Sequence, residues 1–155
     1  MTHSELSLSP LDGADVPTFA AMVVRLYVDD PSSTVMTVER ATAQATRMLR
    51  EPERVSPFIL RRGADVVGYM VLVPFFSNEY GGIVGVVDEL FVLADWRGKG
   101  IGGQALALAK SVATERGWVR LSLETNAANA RARVLYERQG FTALTRVTMT
   151  VDLKT

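Results

Sequence analysis

Cysteine is absent from the 155 residues, which excludes disulfides, thiolate nucleophiles and every zinc site built on sulfur. Histidine is nearly absent too: the sole one is His3, at a terminus expected to fray. The body of the chain therefore has no histidine for a Ser-His-Asp or Cys-His hydrolase. Acid–base work falls to carboxylates, tyrosine, lysine or water, and no metal is expected. Excess charge is missing as well, since 17 basic residues balance 17 acidic ones. No domain-wide field then exists to hold nucleic acid or an anionic membrane, so any anion site has to be local. No apolar run approaches the ~20 residues of a membrane-spanning helix, and Met1-Thr2-His3-Ser4-Glu5 has no leader pattern. The missing span and leader pattern predict a cytoplasmic protein, and the charge balance predicts no nucleic-acid or membrane partner.

What is present is ordinary globular material, 48% hydrophobic and 22% charged, with 12 Gly and 6 Pro. A chain of this length buries about 70% of its unfolded surface and needs no staple to fold, so one domain over residues 1–155 is expected. Glu5 to Leu8 alternates like an edge strand ended by Ser9-Pro10. Asp12 or Asp15 caps a first helix, and a second runs from Thr37 to about Arg50. Phe58–Arg62, a Gly63-Ala64-Asp65 turn and Val66–Val73 predict a hairpin, followed by a long strand over Ile83–Leu93. Helices open at Gly98–Gly103 and after Asn129, with a strand over Val119–Glu124 between them. Two short strands are expected around Thr142 and over Arg146–Leu153. The pattern predicts an α/β (α+β) fold with a mixed sheet.

The glycine-rich run Arg97-Gly98-Lys99-Gly100-Ile101-Gly102-Gly103 stands between a strand and a helix. Unpaired N–H groups at a helix start favour a phosphate there, and glycines let the backbone come close to it. A nucleoside-triphosphate loop needs Gly-Lys followed by Ser or Thr, and Gly100 follows here. Gly98, Gly100 and Gly103 satisfy G-x-G-x-x-G, with Glu124 ending the next strand. That keeps a nicotinamide-dinucleotide module as an alternative, although Ala94-Asp95-Trp96-Arg97 separates strand from glycines and little chain remains for a second half.

The same residues resemble the GNAT superfamily of acyl-coenzyme A-dependent N-acyltransferases. Arg97 to Gly102 fits that family's Arg/Gln-x-x-Gly-x-Gly/Ala coenzyme motif, and Asp88-Glu89-Leu90-Phe91-Val92 resembles its fourth strand. Asn129, Ala132, Leu135-Tyr136 and Gly140-Phe141 match its N-x-x-A-x-x-L-Y-x-x-x-G-F pattern, while Ala94 stands where many members carry proline. The resemblance implies a mostly antiparallel central sheet flanked by helices. It implies acetyl-coenzyme A as co-substrate, a small-molecule or amino-acid-like amine as acceptor, and a homodimer, for which Val147, Met149 and Val151 offer an apolar alternation. A non-catalytic acyl-coenzyme A binding or sensing domain is the alternative.

The implied site has three parts. Leu90, Phe91, Val92, Arg97, Gly98, Lys99, Gly100, Ile101, Gly102, Gly103, Asn129 and Arg131 are expected at the coenzyme, with the Val92 backbone N–H on the thioester carbonyl. Tyr136 is expected as general acid to the leaving thiolate. Asp88 and Glu89 are base candidates and, by strand alternation, point to opposite faces. Members resembling the spermidine/spermine acetyltransferases carry such a pair in the reverse order. Tyr27, Phe75, Phe76 and Tyr80, with Asp29, Asp30 and Glu79, are expected around the acceptor.

Overall fold

Asp12 starts the first helical stretch: its Oδ1 accepts from the N–H groups of Ala14 and Asp15 at 2.9 and 3.1 Å, organising a 3-10 turn over Gly13–Asp15. Pro17 in the following first turn costs no hydrogen bond, and α1 runs Val16–Asp29. The structure, a computed structural model, describes residues 4–153; His3, expected at a frayed terminus, lies outside them. Helix α2, Val38–Arg50, is capped by Thr37 Oγ1 accepting from the Arg40 N–H. Strand β1 is Leu6–Pro10, β2 Ser56–Arg62, β3 Asp65–Ser77 and β4 Gly82–Val92. Helix α3 spans Ile101–Glu115, β5 Arg120–Leu123 and α4 Ala130–Arg138.

The sheet has the order β1-β2-β3-β4-β5. The first four strands are antiparallel in sequence, and β5 joins β4 in parallel after the crossover through α3. Each face carries its own core. Phe19, Met22 and Val23 of α1 and Ala41 and Ala45 of α2 cover Ile59, Tyr69, Val71 and Phe91. On the other face Leu106 and Ala109 of α3 cover Phe58, Met70, Leu72 and Val87, and Ile101 and Ala105 cover Leu60 and Val67.

Two irregularities in β4 shape everything functional. Its pairing with β5 ends at Val87 and Leu123, so Asp88 to Val92 continue without a neighbour on that side. Its register with β3 also slips between Val71 and Leu72, where Val71 faces Glu89 but Leu72 faces Val87, leaving Asp88 as the extra residue of a bulge.

The expected C-terminal strands are not formed: residues 142–153 carry no strand. Alternation prepares a strand but only pairing makes one. Here Val147, Met149, Val151 and Leu153 stand more than three-quarters exposed. The segment is tied by Arg146, which donates to both oxygens of Glu79 at 3.0 Å, and by Thr148, which donates to Glu124 at 3.1 Å.

Candidate active site

Beyond Val87, β4 forms the shared wall of two cavities. Just after β4, the Leu93 N–H donates to Val67 O at 2.8 Å. In an antiparallel ladder the bonding direction alternates, so the N–H groups of Val92 and Leu90 turn away from β3, into the gap β5 has left.

The larger cavity, about 640 Å³, lies on the Val92 side. Gly98, Gly100, Ile101, Gly102 and Gly103 line it from the start of α3, and Asn129, Arg131, Leu135 and Arg138 from α4. Gly98 and Gly100 have φ of +74° and +78°, which side-chain-bearing residues resist. Gly100 is the N-cap of α3, and no side chain caps that helix, so its first N–H groups open onto the groove. Gly102 and Gly103 serve packing: a Cβ on Gly102 would come within 3.3 Å of Leu135, and one on Gly103 within 3.2 Å of Gln139. The Asn129 side chain caps α4, accepting from the Ala132 N–H at 3.1 Å. Two helix starts and three arginines thus border the groove, and no acid does.

Arg97 differs from expectation in what its side chain does. Nε donates to Val92 O at 2.9 Å and Nη2 to Asp29 at 2.8 Å, so the guanidinium ties the end of β4 to the end of α1. Lys99 does not line the groove; its Nζ sits 5.0 Å above the Trp96 ring. Phe91 turns its ring into the α1 core beside Tyr69, while Leu90 lines the second cavity.

That second cavity, about 240 Å³, is bordered by Tyr27, Asp30, Ser32, Asp88, Glu89, Glu124 and Tyr136 among others. Asp88 and Glu89 both line it, not opposite faces as alternation predicts, because the bulge interrupts the alternation between them. Glu89 is held at both oxygens, Oε2 by the Tyr27 hydroxyl at 2.9 Å and Oε1 by the Tyr69 hydroxyl at 3.1 Å. Burial pushes the Glu89 carboxyl above its ordinary pKa, although the two phenols oppose the shift. Asp88 receives no side-chain hydrogen bond among the described residues, and burial, then Glu124, pushes its pKa up as well. Burial and Glu89 push Tyr27 to about 12, and burial with Asp30 raises Tyr136, so both phenols stay protonated at neutral pH.

The structure does not bring Phe75, Phe76 and Tyr80 to this cavity. They lie at the far end of the β3–β4 hairpin, where Phe75 and Phe76 pair with Val84 and Ile83, before the stretch that β5 leaves open. Tyr80 stacks instead beneath Arg120, 4.3 Å from its guanidinium. Asp29 and Glu79 are likewise occupied, by Arg97 and Arg146. Sequence reasoning missed Tyr69 and Arg138. A tyrosine inside the apolar run Gly68-Tyr69-Met70-Val71 needs a buried partner for its hydroxyl, which is a signal. Arg138 is seven residues beyond Arg131 and so on the same helix face.

The profile of the Acetyltransferase (GNAT) family matches residues 20–141. The chain belongs to this family. Acetyl-coenzyme A is the co-substrate of that family. An uncharacterized N-acetyltransferase of Bacillus subtilis, YhfO, is 35% identical over 83 residues, 54% of this chain and 56% of that protein. The aminoalkylphosphonate N-acetyltransferase of Salmonella typhimurium is 35% identical over 80 residues, 52% of each chain. The match thus spans about half the length of these curated relatives. Among solved structures, the integron cassette protein HFX_CASS3 from the Cole Harbour salt marsh metagenome superposes with a TM-score of 0.81 at 28% identity, covering 96% of this chain and 91% of that one.

Proposed function

We propose that this GNAT member is a single-domain N-acetyltransferase, moving the acetyl group of acetyl-coenzyme A to the primary amine of a small molecule. The observation that carries the reading is the meeting of two oppositely charged cavities at the open end of β4. Arg97, Arg131 and Arg138 border one, and Asp30, Asp88, Glu89 and Glu124 the other. A polyanionic coenzyme suits the first and a cationic amine the second.

Roles follow from position. Asp88, free of side-chain donors among the described residues, takes the ammonium proton, and its raised pKa brings it closer to that of the amine. The neutral nitrogen attacks the thioester carbonyl, whose oxygen takes charge facing the unpaired Val92 N–H. A donor of that kind is worth about 10²–10³ in rate. As the C–N bond forms and the C–S bond breaks, Tyr136 donates its proton to the departing sulfur. Glu89, held by two phenols, keeps negative charge beside Asp88. Arg131, Arg138, the N–H groups opening α3 and Asn129 hold the coenzyme.

A homodimer and a cytoplasmic location belong to the same proposal. Supporting the first, β5 is paired on one side only among the described residues while the alternating apolar segment after α4 is exposed. Supporting the second, no described helix is long and apolar enough to cross a membrane.

The test is thermal unfolding with and without coenzyme A, together with thiol release over a panel of amines. Saturating coenzyme A at about a hundred times its Kd should raise Tm by roughly 5–10 °C. Stabilisation without thiol release from any amine would instead make this a binding domain, and no stabilisation would remove the groove assignment.

A further inference from the structure

The four carboxylates of the smaller cavity come from separate parts of the fold. Asp30 follows α1, Asp88 and Glu89 sit in the β4 bulge, and Glu124 follows β5. No lysine or arginine lines the cavity; Arg40 acts on Tyr27 from outside it. Glu89 is satisfied by Tyr27 and Tyr69, and Glu124 accepts from Thr148, whereas Asp30 and Asp88 accept from no side chain among the described residues. No three acidic groups there come together as a metal site would require. The negative charge thus comes from three separate stretches of the chain, and Asp88 feels Glu124 across the cavity.

The reaction sharpens this. The nitrogen that attacks has to lose its proton first, so an acceptor with one amine becomes neutral at the moment it reacts. It would then leave three carboxylates facing an uncharged ligand. An acceptor with a second ammonium keeps a positive charge in place through the step, paired with the carboxylates that take no part in it. An acceptor carrying a phosphonate or carboxylate meets four like-charged groups and no cation in the lining. Tyr27 and Tyr136 add aromatic lining to the same cavity.

We infer that the acceptor is a small diamine or polyamine, its reacting nitrogen at Asp88 and its second ammonium held by Asp30 and Glu124. This rests on the acetyltransfer reading and narrows it. It also separates this chain from its aminoalkylphosphonate-acetylating relative, whose acceptor bears a phosphonate.

The experiment compares putrescine, n-butylamine and aminoethylphosphonate as acceptors, by coenzyme A release and, separately, by calorimetric binding to the protein saturated with coenzyme A. Putrescine should exceed n-butylamine roughly tenfold in kcat/KM, the scale of one or two half-exposed ion pairs. Aminoethylphosphonate should fall below both. Asp30→Asn and Glu124→Gln should each narrow the putrescine preference, and raised salt should narrow it in the wild type. Equal or better use of n-butylamine or aminoethylphosphonate overturns the diamine assignment while leaving acetyl transfer intact. Putrescine binding without release from any amine supports the cavity assignment and removes the catalytic reading. Neither binding nor release overturns both.

Discussion

Tyr27 and Glu89, 62 positions apart in the chain, meet through a 2.9 Å hydrogen bond in which the phenol donates to Oε2. The bond fastens α1 to the open end of β4 and fixes one wall of the proposed acceptor cavity. Both phenols that hold Glu89 lower its pKa against the raising effect of burial. Tyr27→Phe removes one of them, so Glu89 should protonate at higher pH than in the wild type. The acceptor KM should then begin to rise at a higher pH on acidification, and the fold should lose about 1 kcal/mol. A KM–pH profile superposable on that of the wild type would retire the coupling.

Asp88 and Glu89 both have folded-state pKa values above the ordinary carboxylate range. Between the ordinary value and the raised one, the native state holds protons that the unfolded chain has released. Stability therefore falls as pH climbs through that window, and is fully present below it. Asp88→Asn removes one of the two groups. Its Tm relative to wild type should improve as pH rises above about 4, while kcat/KM falls about 10²–10⁴-fold near neutrality. That loss should shrink at alkaline pH, where the amine deprotonates unaided. A variant as active as wild type at neutral pH would hand the base role to water or to Glu89.

The arginines of the proposed coenzyme groove divide into two kinds. Arg131 and Arg138 line it and make no ion pair or side-chain hydrogen bond among the described residues. Their double replacement by alanine should weaken coenzyme A binding roughly five- to thirtyfold and leave the Tm of the free protein unchanged. Arg97→Ala should behave in the opposite way, lowering the Tm of the free protein because it unties Val92 O from Asp29. Equilibrium binding and unfolding on the two variants check the division.

Most elements were legible in the sequence because their signals are local. Asp12, Thr37 and Asn129 cap where capping residues are expected, and the Gly63-Ala64-Asp65 turn joins β2 to β3. The glycine motif likewise marks a strand-to-helix passage whatever surrounds it. What stayed hidden depends on pairing between distant segments. The Asp88 bulge exists only relative to β3, so alternation sends Asp88 and Glu89 to opposite faces when the fold sets both on one cavity. Arg97 matches a coenzyme motif, yet its partner Asp29 comes from 68 positions away. The segment after α4 has the alternation of a strand and pairs with no strand among the described residues.

That unpartnered segment carries the dimer prediction. Val147, Met149 and Val151 are 83%, 89% and 80% exposed, and β5 is paired on one side only among the described residues. An exposed apolar alternation beside an open sheet edge invites pairing with a second copy. Sedimentation at micromolar concentration should give twice the 16.9 kDa chain mass, and replacing Met149 and Val151 by lysine should give the monomer. A wild type that sediments as a monomer overturns the dimer and leaves the site untouched.

Tyr136 faces the cavity that holds Asp88, and its helical neighbour Leu135 faces the coenzyme groove. Tyr136 is thus the side chain of α4 that lines the smaller cavity. Its ring packs edge-on against Phe141 with centroids 6.3 Å apart, an arrangement a phenylalanine reproduces. Burial and Asp30 keep the hydroxyl protonated at neutral pH, as a proton donor to a leaving thiolate must be. Tyr136→Phe removes only that oxygen, so coenzyme A affinity and Tm should stay close to wild type while kcat falls about 10²–10⁴-fold. The loss should be smaller for thioesters whose thiol is more acidic, because a better leaving group needs less help from a proton. A structural tyrosine gives the reverse result, a lowered Tm with turnover per folded molecule intact. Measuring kcat, coenzyme affinity and Tm on this one variant, with two thioesters of different thiol acidity, decides between them.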